Sequence, residues 1–234
     1  MFTKSAAYYD ALYRFKDYAA ASTQLRDLIE REHPQARRLL DVGCGTGHHL
    51  EHLCAGLDVA GLDLNDDLLA VARARCPGVP FQQGDMADFS FGGTFDVVTC
   101  LFSAIAYVQT RERMERAIDC MARHLAPGGL LIVEPWFTPE QYWTGTITAN
   151  FVNEPDLKIA WMYTSERDGL LSMLDINYLV GTPERVSHFT ERHQLGLFTY
   201  DEHTAAFAAA GLSVVHDPKG PFGRGLYSGR KPGA

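Results

Sequence analysis

The sequence predicts an α/β fold: an open, mostly parallel sheet with helices on both faces and an antiparallel sheet inserted late in the chain. Three observations predict it. Leu39-Leu40-Asp41-Val42 runs straight into Gly43-Cys44-Gly45-Thr46-Gly47, the pattern of a strand, a tight turn and a helix start. Residues 37–135 alternate short apolar runs with helical stretches, as βαβ units do. Beyond Pro135 the pattern changes to Ile-, Val-, Tyr- and Thr-rich segments broken by Asn153-Glu154-Pro155-Asp156, Arg167-Asp168-Gly169 and Gly181-Thr182-Pro183, the punctuation of antiparallel hairpins.

The elements follow in order. Residues 5–33 carry helical periodicity, with Ala6, Tyr9, Leu12 and Tyr13 on one face and Leu25, Leu28 and Ile29 on another, and His33-Pro34 ends the region. Strands are expected at 38–42, 58–63, 79–82, 95–100 and 129–134, and helices near 47–55, 66–75 and 111–125. Asn65 suits an N-cap, and Pro127-Gly128-Gly129 a turn into the fifth strand. Strands near 147–152, 157–164, 170–180 and 185–198 form the insertion. Thr199 with Glu202 makes a capping box for a helix that runs to Ala210 and stops at Gly211. Strands near 213–217 and 225–229 bring the main sheet to seven, and Lys231 to Ala234 reads as a frayed tail. The implied organisation is an N-terminal helical lid (1–36), an α/β core (37–135), an inserted sheet (136–198) and a closing segment (199–234).

Composition narrows the function. A chain of 234 residues, 46% hydrophobic, can bury a sizeable core. Its net charge of −8, with no basic run, argues against nucleic-acid or anionic-membrane partners and leaves any anion to a local cationic site. Cys44, Cys54, Cys76, Cys100 and Cys120 form no CxxC pair, so they read as reduced thiols of a cytoplasmic protein. Met1 is followed by a polar, aromatic stretch rather than an apolar leader, and no apolar run nears the roughly 20 residues that span a bilayer.

The glycine loop points to a ligand. Glycine lets a ligand approach bare backbone and tolerates positive φ. A dinucleotide fingerprint places two residues between its second and third glycines, whereas here only Thr46 separates Gly45 from Gly47. Asp63 falls at the second strand's end, about 20 residues after Gly43, where a carboxylate accepts hydrogen bonds from ribose hydroxyls. After the third strand, Asp85 offers an acceptor for an exocyclic adenine amine, and Met86 an apolar wall for the purine. Any one of these residues alone also fits a turn or core position; their joint order favours S-adenosylmethionine (SAM), with an NAD-type ligand as the other candidate on such a sheet.

These residues make the chain resemble class I SAM-dependent methyltransferases, whose fold is a Rossmann-like seven-stranded sheet. More narrowly, Ala7-Tyr8-Tyr9-Asp10, Lys16-Asp17-Tyr18, Gly84-Asp85-Met86, Cys100-Leu101-Phe102-Ser103, Val133-Glu134-Pro135-Trp136 and Gly223-Arg224-Gly225-Leu226 resemble the TDP-amino-sugar N,N-dimethyltransferases. The resemblance implies that Tyr9 and Tyr18 close over SAM, that Gly43, Cys44, Gly45, Gly47, Asp63, Leu64, Asp85, Met86, Cys100 and Leu101 line its pocket, and that Arg224 meets the acceptor's diphosphate. A surface role for Arg224 on the final hairpin is the alternative. Two positions depart from the family: a histidine beside the reacting amine is Tyr107 here, and an N-terminal tyrosine is Phe2. Both lie on the acceptor side. The expected reaction is in-line displacement of the methyl group by an amine. Tyr107 is assigned to orient that amine, because a phenol near pKa 10 is a poor base at neutral pH. Trp136 is placed either over the acceptor or in the core. Transfer to another small metabolite, to N or O, and a non-catalytic SAM-binding module are the competing readings. His48 and His52 sit at i and i+4, but no third ligand has suitable spacing, so these and His49 are expected to be solvated and no metal site is assigned. His188 and His193 are left between the acceptor pocket and solvent. The inserted sheet offers edges that a second copy could cover, giving a homodimer.

Overall fold

The computed structural model describes residues 4–221 and 223–233. After a 3-10 turn at Ala6–Tyr8, helices α1 (Tyr9–Leu12) and α2 (Tyr18–Glu32) lead into β1 (Arg38–Val42). Then come α3 (His48–Leu53), β2 (Asp58–Asp63), α4 (Asp66–Arg75), β3 (Phe81–Gln83) and β4 (Phe95–Cys100). A 3-10 turn at Ala104–Val108 precedes α5 (Arg111–Arg123) and β5 (Leu125–Val133). The insertion comprises β6 (Ile147–Asn153), β7 (Lys158–Asp168), β8 (Leu171–Gly181) and β9 (Val186–Gly196), and the chain closes with α6 (Tyr200–Ala209), β10 (Ser213–Asp217) and β11 (Leu226–Arg230).

Seven strands form the main sheet in the order β10-β11-β5-β4-β1-β2-β3. β1 to β5 are mutually parallel, and β11 runs antiparallel to both β5 and β10. Period-two alternation buries both faces. Leu40, Val42, Val98, Leu131 and Val133 point into a cluster shared with α5 and α6, while Leu39, Val97, Leu130 and Ile132 meet α2, α3 and α4. The strand order reverses between β1 and β4, which opens a crevice at their carboxyl ends. The four-stranded antiparallel sheet, ordered β6-β7-β8-β9, turns Ile159, Trp161, Leu174, Ile176, Tyr178 and Leu195 onto Leu12, Ala106, Tyr107 and Trp136, and so stands over that crevice.

Three expectations change. The helical stretch at 5–33 is broken at 13–17, because the Asp17 side chain accepts from Ala20 N (2.8 Å) and starts α2 afresh. Pro127-Gly128-Gly129 lies inside β5 as an irregularity: the register with β4 shifts between Phe95 and Val97, and Gly128 takes φ +76°. The C-terminal tail is pinned as far as Pro232, whose carbonyl accepts from Gly128 N (3.1 Å), while Lys231 Nζ donates to the carbonyls of Ala122 and Leu125 (3.0 and 2.8 Å). The capping box at Thr199 and Glu202 forms as read, and Asn65 caps α4 through its Oδ1.

Candidate functional site

The crevice is built from the glycine loop outward. Gly43 adopts φ +76°, and a Cβ there would come within 2.6 Å of the Ala104 Cβ, so only glycine lets this loop press against the turn after β4. Gly45 N donates to Asp63 Oδ2 (2.8 Å) and Asn65 N to Asp63 Oδ1 (2.8 Å), which locks the loop after β1 to the end of β2. The turn after β4 is strained: Phe102 and Ser103 both have positive φ (52° and 61°). The end of β5 holds it in place, since Phe102 N donates to Glu134 Oε2 (2.7 Å) and Ser103 Oγ to the Pro135 carbonyl (2.6 Å).

A continuous cleft results. Tyr9, Tyr18, Gly43, Cys44, Gly45, Asp63, Leu64, Asp85, Met86 and Leu101 line it, together with Tyr107 and Trp136. Gly47 and Cys100 do not. Gly47 is the N-cap of α3, where a Cβ would meet Ala72, and strand alternation sends Cys100 into the core beside Val98. Phe2 lies outside the described residues. Arg224 stands behind the cleft wall: its Nη2 donates to buried Glu134 Oε1 (2.9 Å), and its guanidinium lies over the rings of Phe102 (5.4 Å) and Trp136 (5.6 Å). Arg224 Nε is buried with no hydrogen-bond partner among the described residues. Trp136 bridges the two sheets through Nε1 to Ser172 Oγ on β8 (2.9 Å).

Electrostatics divides the cleft. Burial, reinforced by Asp63, pushes Asp41 up to about 7 despite a bond from the Thr99 hydroxyl (2.8 Å). Burial also raises Asp63, against the backbone N–H groups it accepts from. Asp85 goes the other way: burial would raise it, but Ala87 N (2.9 Å) and the Arg113 guanidinium (2.7 Å) hold its carboxyl below the usual range. Lys16 sits over the Phe102 ring at 3.3 Å, and burial together with neighbouring Arg224 lowers it to about 7.

The histidines depart from the solvated reading. His49 is buried against Ser22 Oγ (3.1 Å), and burial lowers it to about 3; His48 stacks on Tyr18 (4.5 Å between centroids) and meets Asp10 and Arg75. His193 is buried and lines the cleft, with Nδ1 2.8 Å from the Tyr107 hydroxyl, whereas His188 is exposed beside Asn177. Among the described residues, no group of three or more His, Cys, Asp or Glu side chains is placed to hold a metal. Sequence reasoning also passed over Tyr13, Arg113, Leu174, Ile176 and Leu195 as lining residues. Alternation along β8 and β9 would have put Leu174, Ile176, His193 and Leu195 on one face.

The cleft suits a nucleoside with a small charged group. Gly45 faces it with only the Tyr9 hydroxyl (3.9 Å) near where a Cβ would stand, so a ligand can reach bare backbone there. Asp63 and Asp85 supply acceptors on successive strand tips, and Met86 and Leu101 supply apolar walls.

Comparison with known proteins agrees with this geometry. A family model described as a methyltransferase domain matches residues 39–129. The dTDP-3-amino-3,4,6-trideoxy-alpha-D-glucopyranose N,N-dimethyltransferase of Streptomyces venezuelae is 42% identical over 225 residues, 94% of this chain and 95% of that protein. The crystal structure of Streptomyces venezuelae DesVI is similar with a TM-score of 0.92 and 40% identity, over 99% of this chain and 100% of that one. SAM-bound CalS10, an amino pentose methyltransferase from Micromonospora echinaspora involved in calicheamicin biosynthesis, is similar with a TM-score of 0.88 and 39% identity, over 99% and 98%.

Proposed function

The chain belongs to the class I SAM-dependent methyltransferases, within the group of amino-sugar N,N-dimethyltransferases, and we propose that it methylates the amine of a TDP-linked amino sugar at the end of the cleft lined by Tyr107 and Trp136. SAM is its cofactor, and it acts as an N-methyltransferase. The observation that carries the acceptor reading is a cationic corner in an otherwise acidic protein. Lys16 and Arg224 lie over one ring, Phe102, beside the Glu134 carboxylate that accepts from Arg224. A diphosphate supplies the complementary charge, and the guanidinium fork, whose Nε has no partner among the described residues, suits phosphate oxygens.

When bound, SAM supplies a methyl group already activated on a sulfonium. The chain's own work is to orient the amine lone pair and keep water out. In this reading Tyr9, Tyr18, Gly43, Cys44, Gly45, Asp63, Leu64, Asp85, Met86 and Leu101 hold the nucleoside. The N-terminal helices α1 and α2 cover it, the inserted sheet walls the acceptor, and Tyr107 positions the amine.

The outer face of the inserted sheet supports a homodimer. Ile147, Phe151, Met162, Leu179 and Val186 share that face in the strand register and are all exposed, so a face rather than the sheet edges would be covered by a second copy. Five free cysteines, four of them buried, fit a reducing cytoplasm, and the named relatives fit a place in secondary metabolism. Among the described residues, no helix is long and apolar enough to cross a membrane.

The test is transfer of labelled methyl from SAM to a TDP-amino sugar and to the same sugar without TDP. Transfer to the nucleotide-linked sugar, with Arg224→Ala raising KM for it alone, is expected. Equal rates on both sugars overturn the acceptor reading.

A further inference from the structure

Behind Tyr107 stands a chain of buried polar groups that positioning an amine does not require. The Tyr107 hydroxyl is 2.8 Å from His193 Nδ1, and on the ring's other side His193 Nε2 lies 3.8 Å from Glu191 Oε2. His193 and Glu191 alternate inward along β9 and are only 2% and 5% exposed. Glu191 is fixed in turn by the N-terminal segment: Ser5 N donates to its Oε1 (3.0 Å), and Ser5 Oγ to its Oε2. A buried carboxylate and imidazole from β9 and a phenol from the 3-10 turn after β4 therefore lead from the N-terminal segment to the cleft.

We propose that Glu191, His193 and Tyr107 form a proton relay that takes the proton from the acceptor's ammonium. The inference rests on the amine-acceptor reading above and deepens it. An alkylammonium keeps its proton well above neutral pH, and in that form its nitrogen has no lone pair to offer. A phenol alone cannot remove that proton, and burial pushes Tyr107 further up. The imidazole solves this. As the substrate N–H bond breaks, its proton passes to the Tyr107 oxygen; the Tyr107 O–H bond breaks, and that proton passes to His193 Nδ1. The phenol is regenerated, and the positive charge rests on His193 beside the Glu191 carboxylate. Burial lowers His193, which keeps the resting imidazole neutral and able to accept, while Glu191 favours its charged form. The other titratable groups facing the pair are Tyr178 on β8, Asp63 at the end of β2, and Tyr9 and Tyr13 around α1. Tyr107 is the catalytic residue, since it faces the amine; His193 and Glu191 act through it as positioning residues.

The experiment is the pH profile of kcat and KM with a TDP-amino sugar for wild type, Tyr107→Phe, His193→Gln and Glu191→Gln, with SAM affinity measured by calorimetry as the control for folding. Gln at 193 still accepts a hydrogen bond from Tyr107 but cannot take a proton, so a merely structural role would survive that change. The expected result is a kcat loss of about tenfold to a hundredfold at pH 7 for Tyr107→Phe and His193→Gln, and a smaller one for Glu191→Gln. KM and SAM affinity should hold, and the deficit should shrink toward pH 9.5, where solvent removes the proton unaided. A His193→Gln profile that matches wild type, or a deficit equal at every pH, overturns the relay while the wild-type turnover leaves the acceptor reading standing. Wild-type enzyme that binds SAM but does not turn over the TDP-amino sugar strikes the acceptor reading, and the relay with it. Should His193→Gln lose SAM binding, the same comparison on Glu191→Gln decides.

Discussion

The Thr46 hydroxyl donates to Asp10 Oδ1 over 2.7 Å, and that bond ties the helix carrying Tyr9 to the glycine loop. Asp10 also accepts from the Arg75 guanidinium and meets His48 Nε2 at 3.1 Å. Burial would raise its carboxyl, but His48, Thr46 and Arg75 hold it low, so the latch is an anion at neutral pH. Because Asp10 is still partly exposed, solvent screening limits the latch to about 1 kcal/mol. Asp10→Ala should therefore speed SAM release roughly fivefold, read by stopped-flow fluorescence, with little change in thermal stability. An unchanged release rate would separate Asp10 from lid closure.

Asp41 should make the SAM-free protein less stable as pH rises. Unfolded, it ionises near pH 4; folded, burial keeps its proton on up to about pH 7. Between those values the folded chain binds more protons than the unfolded one, so stability falls as pH rises through that window. Asp41→Asn removes the effect and still accepts from the Thr99 hydroxyl. The variant's advantage should grow from about 1 kcal/mol at pH 5 to about 4 kcal/mol at pH 8, measured by urea unfolding at each pH without SAM. A constant difference across that range would contradict it.

The main sheet was legible because its strands are covered on both faces and therefore read as apolar runs between turn signals. Asp63 and Asp85 were legible because strand tips in such a sheet are where ligands bind. The histidine behind Tyr107 was not, since 86 residues separate the two and only the insertion's fold brings them to 2.8 Å. Arg113 was hidden for a similar reason: it is one arginine among several on α5, and its pairing with Asp85 depends on how that helix crosses the sheet. Cys100 and Leu101 sit next to each other, yet alternation sends one to the core and the other to the cleft.

Acceptor binding should take up a proton. Lys16, lowered to about 7 by burial and by Arg224, is mostly neutral at pH 8. A diphosphate arriving beside it favours the ammonium form. Calorimetric titration of the TDP-amino sugar in two buffers of different ionisation enthalpy should show uptake of close to one proton at pH 8 and little at pH 6. Lys16→Met should abolish the uptake and weaken binding, while SAM affinity holds. Uptake that persists in Lys16→Met would assign the proton to another group.

The outer face of the inserted sheet should decide the oligomeric state. Phe151 and Val186 are 73% and 70% exposed, and they lie on the two outermost strands of that face, with Leu179 and Met162 between them. A side chain that is already in solvent in the single chain makes no contribution to its core, so a charge there leaves the fold intact and acts only on association. Phe151→Glu and Val186→Glu should each shift the protein from dimer to monomer in light scattering coupled to size exclusion, at unchanged Tm when extrapolated to low protein concentration. Two like charges facing each other across a two-fold axis double the effect, because each substitution enters the interface twice. A wild-type protein that is monomeric at tens of micromolar would leave that apolar face without its second copy.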